Sequence, residues 1–166
     1  MARSNKIVSE KMIKLRQESW ADGIIGIGKA YRSEEDYTKL ARDFVSSFYA
    51  YEEPGIRVLF KPTLAKSSVF RITKEGALAY FIGNDKQYPE DRGFAIQPWQ
   101  SIAFHNACFQ NIGNISMVGG DCIFTNTSGS IVAANYTMAY IMDSDHTLKM
   151  VVHHSSLSHE NPIQSS

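Results

Sequence analysis

The sequence predicts an α+β fold in which N-terminal helices pack on a curved antiparallel sheet, and three observations lead there. Apolar residues recur at helical spacing through the first half of the chain. Beyond residue 101 the pattern changes to four long extended runs, and short turn signals join them. Helices first and strands last is the α+β order, with amphipathic helices covering one face of a sheet. If the long strands curl, sheet and helices form a cone with a pocket at its mouth.

Taken in order, Ile13, Trp20, Ile24, Ile27 and Tyr31 lie at spacings of seven, four, three and four, one face of a helix expected over 5–30. Gly23, Gly26 and Gly28 fall inside it with no strand before them, so close helix packing or a frayed end is expected rather than a phosphate-binding loop. A second helix is expected over 33–51: Ser33 with Asp36 resembles an N-terminal cap, and Tyr37, Leu40, Ala41, Phe44, Val45 and Phe48 continue an apolar stripe up to Pro54-Gly55. Residues 56–63 read as a short strand. Thr73 as cap and Gly83 as stop enclose a third helix, 73–83, carrying Leu78, Tyr80 and Phe81. The extended runs 102–112, 115–125, 131–142 and 147–156 make a meander over 102–156, leaving 157–166 as a tail. The 166 residues, 43% hydrophobic and 20% charged, suit one domain, 1–166.

Seventeen basic and seventeen acidic residues cancel, so neither nucleic acid nor an anionic membrane is an expected partner. With no apolar leader and no run long enough to span a bilayer, the expected location is cytoplasmic. Cys108 and Cys122 have neither metal-ligand nor redox spacing and are expected to be buried thiols.

The last run, Leu148-Lys149-Met150-Val151-Val152, ends directly in His153-His154-Ser155-Ser156. In extended chain His153 shares a face with Ser155, and His154 shares the other with Ser156, so the two imidazoles do not readily share one ion. An imidazole and a hydroxyl on one face can instead line a cleft, the ring relaying a proton near neutral pH and the hydroxyl holding an oxygen. His105, among apolar strand residues, reads as a core histidine rather than a ligand. No pair of metal ligands stands at helical or hairpin spacing, so no metal site is expected from the residues. Glu90 and Asp91 beside Arg92 suggest an ion pair at a rim.

Five motifs in order, Leu59-Phe60-Lys61-Pro62-Thr63, Ala79-Tyr80-Phe81-Ile82-Gly83, Glu90 to Ile96, Pro98-Trp99 and His153-His154-Ser155-Ser156-Leu157, resemble the iota-class carbonic anhydrases. The resemblance covers residues 18–158. It implies a cone-shaped fold like those of nuclear transport factor 2, ketosteroid isomerase and the association domain of calcium/calmodulin-dependent protein kinase. It also implies interconversion of carbon dioxide and bicarbonate with no metal, bicarbonate being held by the hydroxyls of Thr63, Tyr80 and Ser155, with Ser156 the alternative serine. Members described with manganese or zinc leave metal dependence open on this ground alone. Family members usually follow the HHSS motif with Leu-Pro or Met-Pro, whereas here Leu157 precedes Ser158-His159, a departure in the tail.

For an apolar substrate Phe60, Leu64, Phe81, Phe94 and Trp99 could supply the walls, with His153 carrying away the proton. His154 takes that role if Ser156 faces the cavity, and His105 is a further candidate. Two other readings suit the same cone: an isomerase or cyclase needing a carboxylate base, and a non-enzymatic association module. A homodimer through the sheet is compatible with all three.

Overall fold

The computed structural model describes residues 7–159. Helix α1, Glu10–Arg32, starts later than expected because Ser9 caps it, its hydroxyl accepting from Met12 N at 3.2 Å. Residues 5 and 6 of the expected helix, and 160–166 of the expected tail, lie outside the described residues. Glu10 in the first turn and Lys29 and Arg32 in the last suit the helix dipole. Ser33 does not open the second helix: its N–H closes α1 on Lys29 O at 3.0 Å. Asp36 is the cap of α2, Tyr37–Phe48, accepting from Lys39 N at 3.0 Å, and a turn of 3₁₀ helix follows at Ala50–Glu52. Gly23 and Gly28 mark close packing, a Cβ there standing 2.6 Å from the Phe44 ring and 2.9 Å from Ala95 O respectively.

The expected strand 56–63 contracts to β1, Leu59–Lys61, because Pro62 has no N–H to continue a ladder. Thr73 and Gly83 cap α3, Lys74–Ile82. Then come β2 (Trp99–Ile112), β3 (Ile115–Asn126), β4 (Ile131–Met142) and β5 (Leu148–Leu157), in the spatial order β1-β5-β4-β3-β2. The meander is antiparallel, but β1 joins β5 in parallel, placing Phe60 opposite His153, so the sheet is mixed rather than wholly antiparallel. Helix α1 lies over β2, while α2 packs on α1, α3 and β5. No helix among the described residues is long and apolar enough to cross a membrane.

Irregularities bend this sheet. Between β2 and β3 the register shifts across Asn106 and Cys108, and between β4 and β5 Ala139 pairs with Val152 while Tyr140 pairs with Met150, leaving Val151 as an extra residue. Opposite the first shift the strands approach so closely that a Cβ on Gly120 would stand 2.0 Å from the His105 carbonyl oxygen. The core between sheet and helices is largely aromatic: Trp20 meets the rings of Phe44, Phe81 and Phe104, and Phe94 meets those of Tyr80 and Phe124.

Gly120→Ala should therefore cost about 1–3 kcal/mol or more, the range for forcing atoms into a packed site. Gly119→Ala, whose Cβ would meet Tyr136 O at 3.3 Å, should cost less. Urea unfolding of both variants measures the difference, and equal stabilities would contradict the close approach.

Candidate active site

A cavity opens between the sheet, α1, α3 and β1. Its walls are the rings of Trp20, Phe60, Phe81, Phe94, Phe104 and Phe124, and its polar lining comes from Thr63, Tyr80, Tyr136, His153 and Ser155. No Asp, Glu, Lys or Arg lines it. Such a chamber suits a small apolar molecule that acquires charge at a few fixed donors.

Local structure brings the hydroxyls together. Because β1 pairs with β5 up to Lys61 opposite His154, the chain leaves the sheet through Pro62 and sets Thr63 beside Ser155, the two hydroxyl oxygens 2.7 Å apart. Lys61 fixes the same strand end, its ammonium donating to Ser155 O at 2.8 Å. Tyr80 projects from α3 with its hydroxyl accepting from Leu64 N, the residue after Thr63, at 3.4 Å. The sequence Ser155, Thr63, Tyr80 is thus one run of hydroxyls along the cavity wall.

A buried guanidinium holds the segments that carry it. Arg71 is 0% exposed, donating to Asp91 Oδ1 at 2.8 Å, Gly76 O at 3.0 Å and Ser68 O at 2.8 Å, with Tyr88 stacked at 4.2 Å. Its own N–H reaches Phe60 O on β1 at 2.7 Å. Glu90 accepts from Lys66 N at 3.0 Å and Ser67 N at 3.2 Å. The expected rim pair with Arg92 is therefore replaced: Glu90 and Asp91 serve Arg71, which no local pattern announces.

His153 and Ser155 are 5% and 4% exposed and share the inner face, as strand alternation requires. His154 is exposed on the other face, edge-on to Phe70 at 6.2 Å, and Ser156 pairs with Asn135; neither lines the cavity. His105 is exposed opposite Asp121 rather than in the core, because β2 turns that parity outward. Cys108 is likewise exposed, while Cys122 is buried and lines the cavity. Trp99 stands behind Phe94 at 5.3 Å and donates to its carbonyl at 2.7 Å, and Leu64 is 44% exposed.

Sequence reasoning passed over Tyr49, Phe104, Phe124, Tyr136 and Met138. The strand residues could have been found as inward positions of period 2 on β2, β3 and β4. Tyr49 carries no such signal. It is fully buried between α2 and the sheet, its hydroxyl 2.8 Å from His153 Nδ1 and 3.2 Å from Trp20 Nε1.

Burial keeps these groups uncharged. It pushes the Tyr80 and Tyr49 phenols well up, and it pulls His153 down to about 3, with His154 adding to the effect. The expected relay titrating near neutral pH is not what this environment supports. Among the described residues no group of three or more His, Cys, Asp or Glu is placed to hold a metal ion.

Comparison with known proteins bears on the family and the fold. The chain is 35% identical over 159 residues to the metal-independent carbonic anhydrase of Nostoc sp. (strain PCC 7120 / SAG 25.82 / UTEX 2576), covering 94% of this chain and 77% of that one. Its structure is similar to that of the iota-carbonic anhydrase from a cyanobacterium complexed with bicarbonate, with a TM-score of 0.89 and 34% identity over 97% of this chain and 99% of the other. A structure described as a calcium/calmodulin-dependent protein kinase II association domain from Xanthomonas campestris shares the fold at 16% identity, with a TM-score of 0.61 over 96% of this chain and 94% of its own. The sequence profile of the metal-independent carbonic anhydrases matches residues 11–157, nearly every residue from the first turn of α1 to the end of β5, and the chain belongs to that family.

Proposed function

We propose that the aromatic cavity binds carbon dioxide and bicarbonate and that Thr63, Tyr80 and Ser155 perform the hydration by positioning and hydrogen bonding alone. As a member of its family the chain is a carbonic anhydrase, a lyase of the iota class that needs no metal cofactor. The observation that carries the site assignment is the 2.7 Å contact of Thr63 with Ser155 beside Tyr80, on the wall of a chamber without a charged side chain. That bicarbonate occupies the similar cyanobacterial structure supports it.

A zinc enzyme lowers the pKa of bound water from 15.7 to about 7, and hydroxyls cannot. They can hold water against the carbon and meet the oxygens as charge develops. The water oxygen bonds to carbon, one C=O electron pair moves onto oxygen, and one water proton leaves to solvent or buffer, giving bicarbonate. Tyr80, raised by burial, stays protonated throughout and donates. An isomerase would need a carboxylate base in the chamber, and both nearby carboxylates, Glu90 and Asp91, are committed to Arg71.

The unpaired thiols Cys108 and Cys122 suit a cytoplasmic location. The sheet face turned away from the helices is the surface for a homodimer, which analytical ultracentrifugation would report as twice the monomer mass.

Tyr80→Phe and Ser155→Ala should each lower the hydration rate roughly 10²-fold with folding intact, the scale for losing a positioned catalytic group. Thr63→Val should act likewise, whereas Ser156→Ala should leave the rate unchanged. Stopped-flow carbon dioxide hydration reads all four, and full activity in the first three would refute the hydroxyl mechanism. Exhaustive chelation should leave wild-type turnover unaltered; a loss restored by zinc or manganese would contradict the proposed chemistry.

A further inference from the structure

Trp20, Tyr49 and His153 form a buried chain of ring hydrogen bonds that the hydroxyl mechanism does not use. The indole N–H can only donate, so at 3.2 Å the Tyr49 oxygen is its acceptor. Tyr49's own hydrogen then needs an acceptor in a fully buried site, and His153 Nδ1 lies 2.8 Å away. Were Nδ1 protonated, the Tyr49 hydrogen would be stranded at a cost of about 1–3 kcal/mol. The proton of the neutral imidazole is therefore on Nε2.

Among the described residues no buried side-chain nitrogen or oxygen lacks a partner, and no protein group bonds Nε2. That nitrogen must then reach open space, and the open space this ring borders is the cavity. Its orientation is fixed: Phe60 stacks on it at 5.0 Å and 22°, and it meets Trp20 nearly edge-on at 81°.

We propose that Tyr49 is a positioning residue that locks His153 as the Nε2–H tautomer, so that the ring offers a neutral N–H donor to bicarbonate alongside the three hydroxyls. This rests on the cavity being the bicarbonate site. A neutral donor fits the task physically. It stabilises charge as it develops on oxygen, whereas an imidazolium would also hold the product anion strongly. The lowering of the His153 pKa by burial is consistent with this role and opposed to that of a proton carrier.

The test is ¹⁵N-histidine NMR of the wild-type protein at neutral pH, with sodium bicarbonate as the probe. The expected result is a protonated Nε2 and an unprotonated Nδ1 for His153, with the Nε2–H signal moving as bicarbonate saturates. An Nδ1–H tautomer overturns the proposal without need of any variant. Bicarbonate binding that leaves Nε2–H unmoved also overturns it, yet spares the hydroxyl site. Absence of both bicarbonate binding and hydration removes the functional reading, and this proposal with it. Tyr49→Phe should mix the tautomers and weaken bicarbonate affinity about tenfold, the equivalent of one modest hydrogen bond. A folded Tyr49→Phe protein with the wild-type tautomer and affinity would exclude a positioning role.

Discussion

The positions of Thr63 and Tyr80 depend on a charge that water cannot reach. Arg71 joins β1, the segment that follows Thr63, the first turn of α3 and the loop after it, through Phe60, Ser68, Gly76 and Asp91. Thr63 lies between the first two of those pieces and Tyr80 on α3, and neither is held by a long regular element: β1 has three residues and α3 nine. Burying a guanidinium costs several kcal/mol unless each donor is met, so the ion pair is poor evidence for stability in itself. Its directional bonds explain instead how short segments can keep a hydroxyl pair at 2.7 Å.

The chamber they frame holds no charged side chain. Burial disfavours the phenolate of Tyr80 and the imidazolium of His153 alike, and the carboxylates nearby are turned toward Arg71. What remains is a set of fixed dipoles among aromatic rings. In the proposed reaction carbon dioxide would gain little from such dipoles and bicarbonate much, so the wall would distinguish the two by charge development rather than by shape.

Much of this was readable from the chain, for reasons that are local. The Thr73 and Gly83 caps, the periodic faces of α1 and α2, and the pairing of His153 with Ser155 follow from rules spanning a few residues. The cap of α2 was misplaced by three residues because Ser33 and Asp36 both suit the role, and only the closure of α1 on Ser33 decides between them. The Thr63, Tyr80 and Ser155 trio was legible through motif resemblance, not through spacing. Tyr49 and Arg71 were not legible at all. Tyr49 meets His153 across 104 positions of sequence, and Arg71 finds Asp91 twenty residues away in an irregular loop, distances over which no periodic pattern carries information. His105 and Cys108 failed for a related reason: an apolar neighbourhood in sequence does not say which face of a strand is covered.

The extra residue at Val151 sets which side chains of β5 face the chamber. Leu148 and Met150 point inward, and strict alternation from them would turn His154 and Ser156 into the chamber. The bulge advances the chain by one position, so His153 and Ser155 are inside instead. Either frame presents one imidazole and one hydroxyl, because the motif His-His-Ser-Ser is its own near-copy under a shift of one. The strand therefore encodes its inward side-chain types redundantly and its frame only once, in a single inserted residue. Frame, however, is what brings Nδ1 to Tyr49 and Ser155 to Thr63. A slip would preserve the composition of the inner wall while breaking the contacts that give it direction.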